Sequence, residues 1–172
     1  SFLQKFPHCS EEDAKFRLTR DLLLTKQEYE QIMFLMMKEK KFQYKDFYPR
    51  LFFSKEDVKK LDTLGHSVGL HSHTHPTLIE KLNYNDQKIE YEKCQASLAN
   101  ILNKNNNEIK CMSHPCGSYN QDTLKILKEI GIELGFKQIM TIEKEKRMNK
   151  VNNSSLEIAR QDHAGILSKM KK

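Results

Sequence analysis

Apolar residues along this chain follow two rhythms, one recurring at three- and four-residue intervals and one confined to short runs beside turn residues. The first predicts helices. In "TKQEYEQIMFLMMKEKKF" (25–42), Tyr29, Ile32, Met33, Met36 and Met37 make a helical stripe behind a capping box of Thr25 and Glu28, and the stripe reads as core. "SKEDVKKLDTLG" (54–65) repeats the logic: Ser54 caps, Asp57 takes the third helical position, and Gly65 ends the helix. "NYNDQKIEYEKCQASLANILNK" (83–104) carries Tyr91, Cys94, Leu98, Ile101 and Leu102 on one side. Asn120 caps "QDTLKILKEI", which Gly131 closes. The second rhythm predicts strands at "HSVGLH" (66–71), "IKCMS" (109–113), "IELGFK" (132–137) and "LEIAR" (156–160).

Strands alternating with helices argue for an α/β fold with a largely parallel sheet. Functional residues in such folds collect just beyond the C-terminal ends of the strands. Here those ends carry His71 to His75, Ser113 to Gly117, and Arg160 to His163. The 172 residues fit a single domain and contain no internal repeat or linker.

Composition narrows the function classes. Hydrophobic residues make up 38% and charged residues 30%, with a mean hydropathy of -0.72. No apolar run is long enough to span a bilayer, and the first residues lack the apolar core of a signal peptide. The net charge of +6 and pI of 9.0 invite a nucleic-acid reading, yet arginine supplies only five of the 29 basic residues. The lysines are dispersed among glutamates, the pattern of a solvated surface and not of a phosphate-binding face, so nucleic acid is not an expected partner. Cys9, Cys94, Cys111 and Cys116 form no Cys-x-x-Cys pair and read as thiols in a reducing compartment, which points to the cytoplasm. "CMSHPC" (111–116) offers a Cys111/His114/Cys116 set that has metal-ligand spacing but no second cluster to complete it.

The chemistry concentrates in "GHSVGLHSHTHPTL" (65–78), which holds four of the seven histidines, His66, His71, His73 and His75. A helical His-Glu-x-x-His site is excluded, because position 72 is Ser and Pro76 pushes His75 out of helical conformation. Two metal-binding geometries remain. A continuing strand would put His71, His73 and His75 on one face, whereas a tight turn would bring His75 back towards His71 and leave His73 elsewhere. A solvated polar loop without a ligand is the third reading. Neutral imidazoles suit zinc and other divalent first-row metals.

This segment resembles the His-Ser/Thr-x-x-His-Pro motif of the polysaccharide deacetylase family (carbohydrate esterase family 4), and its leading Gly-His-x-x-Gly matches as well. "SHPCGSYNQDTLKILKEIGIELGFK" (113–137) is similar to the family's next block, with Ser113 in place of the common Arg and Cys116 in place of the common aromatic. The resemblance runs over residues 54–165 and leaves 1–53 as a helical, insertion-like segment of the same domain. It implies a partial (β/α) barrel and a divalent ion, zinc first, held by His71 and His75. It also implies hydrolytic removal of N-acetyl groups from an amino sugar or polysaccharide. In that chemistry an ion on two His and one Asp activates water, a second Asp is the base, and a His protonates the leaving amine. By the resemblance, the Cys116 N–H, in the loop with Pro115, helps stabilise the oxyanion. The resemblance implies that Arg160 and Asp162 orient the base and that His163 is the acid. "LEIARQDHAGIL" departs from the family's Leu-x-His, and an ordinary salt-bridged strand end is the alternative reading.

One departure bears on activity. The family's Thr-Phe-Asp-Asp motif, which supplies the metal-binding Asp and the base, lies upstream of the histidines, and this chain contains no Asp-Asp pair. Asp13 stands in a helix-capping context. The sequence reads as beginning after that first strand. The expectations are therefore a deacetylase, or its C-terminal part, with little turnover by the chain alone and an unpaired sheet edge that favours self-association. The alternative is a degenerate, noncatalytic carbohydrate- or metal-binding domain.

Overall fold

The computed structural model describes residues 10–138, 154–160, 166, 167 and 170. The chain divides into two compact units, Ser1–Phe52 and Phe53–Lys172.

The first unit is helical. Ser10 caps α1 (Glu11–Leu18) by accepting the Asp13 N–H, and a π-turn follows over Thr19–Leu23. The expected box forms at α2 (Lys26–Glu39): the Glu28 carboxylate accepts the Thr25 N–H at 2.8 Å while the Thr25 hydroxyl accepts the Glu28 N–H. A short α3 (Tyr44–Leu51) completes the unit. The core expectation for the methionine stripe is corrected. Tyr29, Met33 and Met37 are half-buried, Ile32 and Met36 are exposed, and no residue of α2 is buried. Phe34 and Leu35 make the opposite face apolar too, at 62% and 54% exposure. A segment this short has too little interior to surround such a helix.

The second unit holds the sheet. α4 (Lys55–Thr63) starts at the Ser54/Asp57 box and stops at Gly65, whose φ of +87° suits glycine. α5 (Tyr84–Leu102) packs against both α4 and α6 (Gln121–Glu129), and Asn120 caps the latter. β1 (Cys111–Ser113) pairs in parallel with β2 (Leu134–Phe136), with Met112 opposite Gly135. Single parallel bridges extend the pairing on both sides, Leu70 to Met112 and Phe136 to Ile158. The spatial order is thus the Leu70 segment, β1, β2 and the Ile158 segment, with α5 and α6 as the first two crossovers. Glycine permits the tight seams: a Cβ on Gly69 would lie 2.6 Å from the Cys111 carbonyl oxygen, and one on Gly135 2.5 Å from that of Leu156.

Each strand is shorter than its apolar run. Ile109 still donates to Asn106 at the end of a 3-10 turn, and Ile132 donates back to Leu127 of α6. Leu156 and Glu157 belong to a turn whose Glu157 N–H reaches Ser154, so sheet pairing begins at Ile158. Local turn bonds claim these backbone groups before a neighbouring strand can. The core beneath the sheet is nonetheless closed, with Leu70, Ile79, Tyr91, Met112, Ile126 and Leu127 almost wholly buried. Buried amides tie the helices to it. Gln87 accepts the Thr123 hydroxyl at 2.6 Å, and Gln95 donates to the carbonyls of Asn106 and Ile130. A buried amide satisfied in this way costs little to desolvate and holds its helix in register.

Candidate metal centre

The C-terminal ends of the Leu70 segment, β1 and the Ile158 segment carry His71, Ser113 and Arg160. The Leu70 segment passes directly into the histidine loop. Ser72 and His75 both adopt left-handed backbone, φ +64° and +55°, so the three-histidine strand does not form. The chain turns at Ser72, whose hydroxyl accepts the His75 N–H at 3.1 Å, and Pro76 follows. That turn brings His75 back to His71, with Nε2 to Nε2 at 3.2 Å and ring centroids 4.9 Å apart. His73 takes no part in this pair. Its backbone N–H is held by Glu90 and its side chain is exposed.

The protonation of His71 follows from its neighbours. Its Nδ1 lies 2.7 Å from the Ser113 carbonyl oxygen, which can only accept, so Nδ1 carries the proton and Nε2 presents its lone pair. The residue is exposed at the surface, yet its ring is partly desolvated where Nδ1 meets the end of β1. That burial is the main force pulling its pKa below the ordinary 6.5, with His75 and Arg160 adding smaller electrostatic pushes and the Ser113 bond opposing. His71 is therefore neutral near pH 7, the form that ligates. Two tetrahedral Zn–N bonds of about 2.0–2.1 Å would separate their nitrogens by about 3.3–3.4 Å. The observed spacing fits that bite. The pair supplies two ligands, and among the described residues no group of three His, Cys, Asp or Glu side chains is placed to hold an ion.

The neighbouring strand ends build the wall. Arg160 donates from Nη1 to the Ser113 hydroxyl at 3.2 Å, which places a guanidinium beside His71. After Ser113 the chain enters a 3-10 turn, Pro115–Gly117, in which Pro115 is buried, Cys116 has φ +51°, and the Cys116 thiol is exposed. The Cys111/His114/Cys116 cluster is not assembled. His114 instead turns inward at 1% exposure, donates from Nε2 to the Leu156 carbonyl at 2.8 Å and stacks on Tyr119. Its burial also holds its pKa below 6.5. His66 sits exposed just past α4. Asp162 and His163 lie outside the described residues.

Sequence reasoning missed the supports. Glu90 accepts the N–H groups of His73 and Thr74 and the Thr74 hydroxyl, and burial pushes the Cys94 thiol pKa up, partly offset by the His71 backbone beside it. Glu90 and Cys94 are four residues apart on α5, a spacing that shows one shared face but not what docks there.

A parallel α/β sheet with a histidine pair at its strand ends defines the class of protein. The family model for polysaccharide deacetylase matches residues 20–135, more than half of the chain, and the chain belongs to that family. The match begins upstream of the resembling region 54–165 and takes in most of the helical segment. Among solved structures, a Streptococcus pyogenes deacetylase, PplD, in complex with acetate superposes with a TM-score of 0.53 at 21% identity, covering 70% of this chain and 51% of that one. A CE4 family pseudoenzyme from Bacillus anthracis aligns at a TM-score of 0.41 and 20% identity, over 45% of this chain and 26% of that one. The comparison with curated protein sequences gave no match. The fold is thus part of the α/β barrel of this family, and the chain spans about half the length of the PplD structure. Among the described residues, no helix is long and apolar enough to cross a membrane.

Proposed function

We propose that this chain carries the histidine half of a metal-dependent N-deacetylase centre acting on an N-acetylated sugar or polysaccharide. The observation that supports it most is the His71–His75 pair, preset at 3.2 Å with the His71 tautomer fixed by Ser113. A divalent ion, zinc first, would polarise the amide carbonyl and acidify a bound water. The chain's own residues do the rest of the positioning. Ser113 holds the His71 lone pair outward. Arg160, beside it, disfavours imidazolium at His71 and offers a positive charge to an anionic group at the strand ends. In this reading the Cys116 N–H, in the turn after β1, faces the developing oxyanion. His163 protonates the leaving amine, and Asp162 steadies the base.

A second reading, a noncatalytic carbohydrate- or metal-binding domain, draws support from the absence of an Asp-Asp pair in the sequence and of a third ligand among the described residues. Loss of a general base alone costs about 10²–10⁴-fold in rate. Acetate release from N-acetylglucosamine oligomers with added zinc separates the two. The 172-residue chain should turn over little, and a version carrying an upstream Thr-Phe-Asp-Asp strand should show zinc-dependent turnover that His75→Ala abolishes. Zinc binding without turnover in that version would favour the noncatalytic domain. Robust turnover by the chain alone would mean that Asp13, Asp162 or another carboxylate serves as base.

A further inference from the structure

The histidine loop adopts a conformation that its own residues disfavour. Ser72 and His75 both lie in the left-handed region, where a Cβ crowds the following carbonyl, and such residues persist only where surrounding bonds over-determine them. Within the loop, the Ser72 hydroxyl accepts the His75 N–H. Further support comes from α5. The Oε2 of Glu90 accepts two successive backbone amides, His73 at 3.0 Å and Thr74 at 2.7 Å, while Oε1 accepts the Thr74 hydroxyl at 2.7 Å. Successive N–H groups beside a left-handed residue form a natural anion cradle, and here the carboxylate fills it. Tyr91, the next residue, is wholly buried, so the carboxylate stands on an anchored element.

We propose that Glu90 is a positioning residue that holds His75 in ligating register with His71. His71 does not need it, being fixed through the Leu70 bridge and its Nδ1 bond to Ser113. The His75 ring meets Nε2 of His71 but, among the described residues, makes no bond to a backbone carbonyl, so its ring goes where the loop goes. The proposal rests on the metal-centre reading for its purpose, though not for its geometry.

Both are tested on the full 172-residue chain by zinc titration and, in metal-free protein, by the nuclear Overhauser contact between the His71 and His75 rings. The comparison set is wild type, Glu90→Ala and Glu90→Gln. Gln keeps one carbonyl oxygen for the two amides, whereas Ala keeps nothing. Glu90→Ala should weaken zinc binding about 10–100-fold, the range usual for residues that orient a ligand, and should lose the ring–ring contact. Its thermal unfolding without metal should stay within a few degrees of wild type. Glu90→Gln should recover most of the contact and part of the affinity. An unchanged ring contact in Glu90→Ala would overturn the proposal. So would equal losses in Ala and Gln together with a large fall in stability, which would make Glu90 a general structural residue. If no variant binds zinc, the metal reading fails, and the ring contact still decides whether Glu90 positions His75.

Discussion

His71 and His114 stand at the ends of adjacent parallel segments, and each gives one ring nitrogen to a backbone carbonyl. They differ in which nitrogen is used and where the other points. His71 donates from Nδ1, leaving Nε2 facing a second imidazole. His114 donates from Nε2, and its Nδ1 is buried with no partner among the described residues, beneath the stacked Tyr119. The first arrangement suits a ligand and the second a structural wedge. Position at a strand end does not make a histidine functional; the orientation that its carbonyl partner imposes does.

The largest expected contrast is in stability. His114→Ala removes a buried ring, its stacking contact and the donor to Leu156, and should cost about 2–4 kcal/mol in urea unfolding. His71→Ala, at an exposed position, should cost less than about 1 kcal/mol. Equal losses would break the distinction between wedge and ligand.

A smaller contrast concerns pH. Burial holds the His114 pKa below 6.5, so between that depressed value and 6.5 the unfolded chain binds more protons than the native one. Stability therefore rises with pH through this window and is lost as pH falls below about 6.5, with a slope of at most about 1.4 kcal/mol per pH unit from this group. His71 contributes with the same sign, partly offset by its bond to Ser113. Unfolding free energy measured from pH 7 to pH 5 should flatten in His114→Phe. An unaltered slope would assign the acid sensitivity elsewhere.

How far the sequence discloses all this depends on how local the physics is. Helix starts were legible at Thr25, Ser54 and Asn120, because each cap is closed by a residue three positions on. The turn from His71 to His75 was legible because Pro76 and the motif restrict the backbone there. Strand extents were not, since turn bonds at Ile109, Ile132 and Glu157 consume backbone groups that the apolar pattern assigns to the sheet. The exposed face of α2 shows the same limit in reverse, a periodic stripe that names a face without its cover. Glu90 was invisible because its partners lie across the fold from α5, and a lone acidic residue on an amphipathic helix reads as solvated surface.

The central claim is that His71 and His75, and not His73, hold a divalent ion. Equilibrium dialysis against zinc followed by elemental analysis tests it on wild type and the three alanine variants. About one ion per chain is expected for wild type and His73→Ala, with affinity falling by roughly two orders of magnitude or more in His71→Ala and His75→Ala. Equal loss in His73→Ala, or no zinc retained by wild type, would contradict the account.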